Sequence, residues 1–231
     1  MSILIAVRHG RSTSNAAGTL AGRTPGIALD ETGVQQAVAL GERLRGVTLA
    51  AAVTSPMLRC EQTMDLLLDA ASSDLTSQID DRLVETDYGQ WSGRLLKDLA
   101  DEPLWKVVQQ RPDEAVFPGG ESMLAVRDRV VDAVLDWNRR LAPTDVWVMA
   151  SHGDPLAALL NWASGAEFRH VQRLGVDPAS ASIIVLPGEQ LPHPRIITMN
   201  SVEGSLARWL APPSEQTVGG STGTGTPATD D

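Results

Sequence analysis

Residues 3–10, Ile3-Leu4-Ile5-Ala6-Val7-Arg8-His9-Gly10, form five apolar residues that break off into an arginine, a histidine and a glycine. A short, nearly continuous apolar run reads as a strand buried on both faces, the kind found inside a parallel sheet. The same pattern returns at Val146-Trp147-Val148-Met149-Ala150-Ser151-His152-Gly153. If the two strands are neighbours, about 4.8 Å apart, both imidazoles rise from one sheet edge into one pocket. In open α/β sheets that carboxyl edge is where ligands bind. One His-Gly at a strand end is ordinarily structural, whereas two in the same position point to chemistry. A glycine after each histidine leaves room for a ligand to approach.

Working outward, Ala51 to Thr54, Ile183 to Leu186 and Ile196 to Met199 read as further strands. Helices fall between them. Asp30 is placed to cap one, in which Val34, Ala37, Val38, Gly41 and Leu44 recur at helical spacing. Another follows Ser55-Pro56 through about Ala71, with Pro56 in its first turn. Residues 94 to 110 read as helix broken near Pro103. The clearest stripe is Met123, Val126, Val130, Val134, Trp137 and Leu141. A last helix spans Pro155 to Ala163, with Asp154 as its cap. Such alternation predicts an α/β fold, a mostly parallel central sheet with helices on both faces. Residues 1–211 form one domain. Residues 212–231, rich in Gly, Thr, Ser and Pro, read as a disordered tail that holds three acidic residues and no base.

The 231 residues carry a formal charge of −10. That balance argues against nucleic acid or an anionic membrane as partner, and the six tryptophans lack the basic interleaving that nucleic acid requires. A phosphate ligand would need a local positive cluster working against the overall field. The lone cysteine, Cys60, excludes an internal disulfide framework and fits a reducing compartment, and on its helix it reads as a small core residue. No apolar run reaches the ~20 residues of a spanning helix, and no secretory leader is evident, so a cytoplasmic location is expected. His170 and His193 read as structural or surface residues.

Five ordered motifs carry a family resemblance. Arg8-His9-Gly10-Arg11-Ser12-Thr13-Ser14-Asn15, Ser55-Pro56-Met57-Leu58-Arg59-Cys60-Glu61-Gln62-Thr63, Leu83-Val84-Glu85-Thr86-Asp87-Tyr88-Gly89, Pro118-Gly119-Gly120-Glu121-Ser122 and Ser151-His152-Gly153 together resemble the histidine phosphatase superfamily in its phosphoglycerate-mutase-like branch. The resemblance runs from Leu4 to about Gly153 and implies a three-layer sandwich of the phosphoglycerate-mutase type. It also implies a covalent mechanism without metal or other cofactor.

Phosphoryl transfer needs an in-line nucleophile, cations around three equatorial oxygens and a proton for the leaving group. A neutral His9 can attack phosphorus and form a phosphohistidine. Arg8 and Arg59 can grip phosphoryl oxygens in bidentate fashion, and a protonated His152 would add a third positive charge. The resemblance makes Glu85 the proton donor to the leaving oxygen and the base for the water that follows. It also makes Asn15, Gly22 and Tyr88 substrate-binding candidates. Arg11 departs from the family, replacing the usual acidic residue after the first Gly, and is a further candidate that adds positive charge at the pocket rim; Arg23, Arg94, Lys97 and Arg111 are candidates for binding the rest of the substrate. Asn15 read without the resemblance is a turn or cap residue. Two strand-end histidines without a third ligand at recognisable spacing do not make a metal site.

Mutases of this family carry a long arginine-rich insertion after the acid loop, whereas only Thr86 to Phe117 intervenes here. Leu96 falls at the position resembling the mutase lysine, and Ala21 stands where a small hydroxyl is expected before Gly22. A less enclosed site admits water and favours hydrolysis. The expected activity is therefore a phosphomonoesterase acting on a small phosphate ester. A phosphomutase, for which Tyr88 speaks, and a catalytically idle phosphate-binding module are the alternatives. An apolar strand edge is also compatible with a homodimer.

Overall fold

The computed structural model describes residues 2–189 and 191–202, so the tail expected at 212–231 lies outside the described residues. In chain order come β1 (Ile3–Arg8), α1 (Thr13–Ala16), α2 (Glu31–Glu42), β2 (Ala51–Thr54), α3 (Leu58–Ala70) and β3 (Gln78–Ile79). There follow α4 (Leu96–Leu99), α5 (Pro103–Gln110), α6 (Met123–Arg140), β4 (Val146–Ser151), α7 (Gly153–Ser164), β5 (Ala181–Val185) and β6 (Arg195–Ser201). The strands form one sheet in the order β3-β2-β4-β1-β5-β6. β3, β2, β4 and β1 run parallel, while β5 is antiparallel to β1 and β6 antiparallel to β5. The sheet is mostly parallel with a two-stranded extension on one side.

Alternation along the strands builds the three layers. Leu4, Ala6, Ala51, Val53, Trp147 and Met149 face a core shared with Val130, Val134 and Trp137 of α6 and Leu156, Leu159 and Leu160 of α7. Ile5, Val7, Ala52, Val148 and Ala150 face the other side, against Leu40 of α2 and Cys60, Met64 and Leu67 of α3. Cys60 is thus a core residue, fully buried.

Local signals set most boundaries. Asp30 caps α2 by accepting from the Gly33 N–H, and Ser122 caps α6 by accepting from Ala125. Pro103 opens α5 at a position where its missing N–H costs nothing. Two details depart from the sequence reading. Pro56 precedes α3, whose cap is Met57. Asp154 is no cap: α7 begins at Gly153 with His152 in the capping position, which puts Asp154 in the buried first turn.

Gly10 serves the fold more than the ligand. A Cβ there would sit 2.5 Å from the carbonyl oxygen of Gly33 in the first turn of α2, a backbone atom that cannot swing away. Gly10→Ala is expected to destabilise the protein by roughly 1–3 kcal/mol, the cost of overpacking a filled site. Urea unfolding checks this: the midpoint should fall with the slope unchanged.

Candidate active site

The register of β1 on β4 pairs Arg8 with Ser151, and the His9 N–H donates to the Ser151 carbonyl at 3.0 Å. The residues that follow, His9 and His152, therefore stand side by side, their ring centroids 5.2 Å apart and the planes inclined at 64°. His9 Nδ1 lies 2.7 Å from the Gly10 carbonyl, a contact that requires the proton on Nδ1. Its Nε2 is then the bare nitrogen, and it accepts from Arg59 Nε at 3.3 Å. Burial, then Arg59 and Arg8, push the His9 imidazolium well below the usual histidine range. His9 is a neutral ring with its lone pair on Nε2.

Arg59, in the first turn of α3, donates from Nη2 to the Gly22 carbonyl at 2.9 Å. Its Nη1 is buried and has no hydrogen-bond partner among the described residues. Leaving such a donor unsatisfied is costly, and an anion arriving beside His9 Nε2 would satisfy it. Arg8, equally buried, donates to the Val176 carbonyl at 2.7 Å. Thr63, one turn beyond Arg59, ties strand to helix: its hydroxyl accepts from Gly10 N at 3.0 Å and donates to the Arg59 carbonyl at 2.6 Å. Gln62 accepts from Leu29 N at 2.9 Å, anchoring the loop that carries Gly22. The α3 motif thus holds the two ends of the site together.

Glu85 lies against this cluster, 5% exposed, with Oε1 accepting from Thr86 N at 2.8 Å. Burial, then the negative charge of Asp154, raise its carboxyl to about 7, opposed by Arg59 and Arg8. Asp154 accepts from the Tyr88 hydroxyl at 2.9 Å. The Glu85 carbonyl accepts from Arg23 Nε at 3.0 Å and from Arg129 Nη2 at 3.1 Å. Both arginines also bind Glu121 Oε1, at 2.8 and 2.9 Å, and that oxygen accepts from Asp87 N. Glu121 of the Pro-Gly-Gly-Glu-Ser motif is therefore the hub that fixes the acid loop. Arg129 had no signal in the sequence, where it is one more charge on the polar face of α6.

The structure brings Arg8, His9, Arg59, Glu85 and His152 into one buried cluster at the carboxyl edge of the sheet. It places other candidates elsewhere. Tyr88 is fully buried behind the acid loop and its hydroxyl is taken by Asp154, so it presents no surface to a substrate. Asn15 Oδ1 accepts from Ser12 N and Oγ, the capping arrangement of α1. Arg11 binds Asp30 at 2.7 Å and Thr32 at 2.8 Å, tying its loop to the start of α2. Gly22, at φ 51°, supplies a carbonyl to Arg59, and a side chain there would meet Ser92 and Tyr88. Arg94 pairs with Glu102 and Arg111 with Glu114, while Lys97 is exposed. His152 is not the third cation of the sequence reading: burial, then Arg59 and His9, push it well below the usual histidine range. Among the described residues no group of three or more His, Cys, Asp or Glu is placed to hold a metal ion.

A bare nucleophilic nitrogen, two buried guanidiniums and a proton-holding carboxyl define a protein that handles phosphoryl groups. The chain belongs to the histidine phosphatase superfamily, branch 1, whose model matches residues 4–200. It is 30% identical to phosphoserine phosphatase 1 of Hydrogenobacter thermophilus over 78% of this chain and 85% of that protein. It is 32% identical to a probable phosphoglycerate mutase of Salmonella choleraesuis over 77% and 82% respectively. Among solved structures, a mycobacterial glucosyl-3-phosphoglycerate phosphatase in complex with VO3 superposes with a TM-score of 0.75. It is 26% identical, with 86% of this chain and 98% of that one covered. Bacillus stearothermophilus YhfR shares the fold at a TM-score of 0.79 and 24% identity, over 88% and 98%.

Proposed function

We propose that the protein is a metal-independent phosphomonoesterase that hydrolyses a small phosphate ester through a phosphohistidine on His9. The observation that carries this reading is the Nη1 of Arg59, without a hydrogen-bond partner among the described residues, beside the bare Nε2 of His9. An ester phosphoryl group entering here draws the Arg59 donors onto its oxygens and frees Nε2 for attack. The N–P bond forms as the P–O ester bond breaks, and Glu85 gives its proton to the departing alkoxide. Glu85 then takes a proton from water, whose oxygen attacks phosphorus and returns the bond electrons to Nε2. Arg8, Arg59 and a neutral His152 hold the oxygens throughout.

The relatives named as phosphatases support hydrolysis. Relatives named as probable phosphoglycerate mutases favour the second reading, transfer back to a bound acceptor. Tyr88, being buried, does not add to it. An assay of phosphoserine, sugar phosphates and 3-phosphoglycerate with chelator present separates the two. Release of inorganic phosphate should outrun any isomerisation of 3-phosphoglycerate; the reverse order makes the protein a mutase. We further infer a cytoplasmic enzyme, consistent with the reduced, buried Cys60. Its partners would be small phosphate esters rather than nucleic acid, and its catalytic domain would end near residue 211.

A further inference from the structure

Three neighbouring strands, β2, β4 and β1, are followed directly by Ser55, His152 and His9. Ser55 sits beyond the end of β2, where its N–H donates to the Ala150 carbonyl at 3.0 Å. Its side chain is fully buried, and Oγ lies 2.8 Å from His152 Nε2. The mechanism above gives Ser55 no role.

We propose, resting on the reading of His152 as a phosphoryl-oxygen ligand, that Ser55 is a positioning residue. It donates to Nε2 and so holds His152 as the Nδ1–H tautomer, a hydrogen-bond donor that carries no charge. The direction of the Ser55 bond follows by accounting for donors. Ser55 Oγ already accepts from Met57 N at 3.4 Å, so its own proton needs an acceptor. Two lie beside it: the sulfur of Cys60 and His152 Nε2. Sulfur is the weaker acceptor. Cys60 Sγ lies 3.4 Å from both the Ser151 carbonyl and His152 Nε2; its single proton goes to the carbonyl oxygen, the harder acceptor, which leaves Nε2 to the closer Ser55 hydroxyl at 2.8 Å. Burial raises that thiol to about 12, so it stays a thiol. The hydroxyl therefore goes to Nε2 and the ring proton to Nδ1, which has Cys60 Sγ at 3.8 Å and is free to meet a ligand oxygen. This resolves a difficulty of the site. A cationic His152 beside Arg59 and Arg8 is unfavourable, yet a neutral ring in the opposite tautomer would turn a lone pair toward phosphate oxygens.

Long-range 15N spectra of the histidine rings at pH 7.5 test this, with His152 assigned by its loss in His152→Ala. In the wild type, His152 is expected to show a protonated Nδ1 and a bare Nε2. In Ser55→Ala, Nε2 loses its donor, and a shift of the proton toward Nε2 is expected. The kcat for an aryl phosphate should fall roughly 10–100-fold, the usual effect of losing an orienting partner, while KM changes little. A wild-type ring protonated on Nε2 overturns the inference whether or not the variant folds. A Ser55→Ala protein that keeps both tautomer and kcat does the same. A wild type that turns over no phosphate ester overturns the phosphatase reading itself, whichever tautomer it shows.

Discussion

Replacing His9 with alanine is expected to lower kcat by about 10⁴-fold or more, on the scale seen when a covalent nucleophile is removed. Arg8, Arg59 and Glu85 remain in place in that variant, so substrate still binds and KM should change far less than kcat. What is lost is the bare nitrogen that meets the Arg59 guanidinium. The wild type, quenched in mild base within one turnover, should carry one phosphoryl group on the peptide containing His9, and the variant none. Turnover within a hundredfold of wild type in His9→Ala would remove the covalent mechanism. Loss of folding is a separate matter that circular dichroism settles, since the small side chain leaves a cavity under a buried arginine.

How far the site was legible follows from the range of the forces involved. Burial on both faces writes itself into a strand as an unbroken apolar run, so Ile3 to Val7 and Val146 to Ala150 could be read directly, and with them the shared ending. Cap residues act within one turn, so Asp30 was equally plain. What escaped were interactions between residues distant in the chain. Nothing near Asp154 indicates that it will meet Tyr88, 66 positions away, instead of capping its own helix. Arg129 reaches the Glu85 carbonyl across 44 positions. Gly10 answers to Gly33, a backbone contact no residue pattern records. The protonation of His152 failed for a related reason, because its charge depends on how dry the pocket is and on which cations converge there.

Those same charges reconcile a chain of net −10 with an anionic ligand. Positive groups at the rim are largely paired, Arg11 with Asp30, Arg94 with Glu102 and Arg111 with Glu114. Inside, the buried guanidiniums of Arg8 and Arg59 sit in a low-dielectric pocket where each charge acts more strongly than in water. Selectivity for a phosphate ester then comes from burial rather than from long-range steering, and the association rate should depend only weakly on ionic strength.

Glu85→Gln should separate the two halves of the reaction. The carboxyl, raised to about 7, holds a proton at neutral pH while the neutral His9 beside it keeps its lone pair. Wild-type kcat/KM should therefore fall as pH rises through about 7, where Glu85 ionises, and hold below that until His9 protonates, well under the usual histidine range. Glutamine preserves the acceptor for Thr86 N but offers no acidic proton. Alkyl esters such as phosphoserine should lose about 10²–10⁴-fold in kcat/KM. An aryl ester whose phenolate leaves unaided should still phosphorylate His9, and the phosphohistidine should then accumulate for want of a base. Stability moves the other way. A carboxyl lifted from 4.5 to about 7 by folding contributes fully below 4.5, and that contribution drains away as pH rises through 7. Ionised Glu85 is then a net cost to the fold at pH 8. Glu85→Gln should accordingly melt higher than wild type at pH 8 and near it at pH 4.5. A variant that hydrolyses phosphoserine as fast as wild type would mean that Glu85 is not the proton donor, and one that gains no stability at pH 8 would mean that burial does not strain the ionised carboxylate.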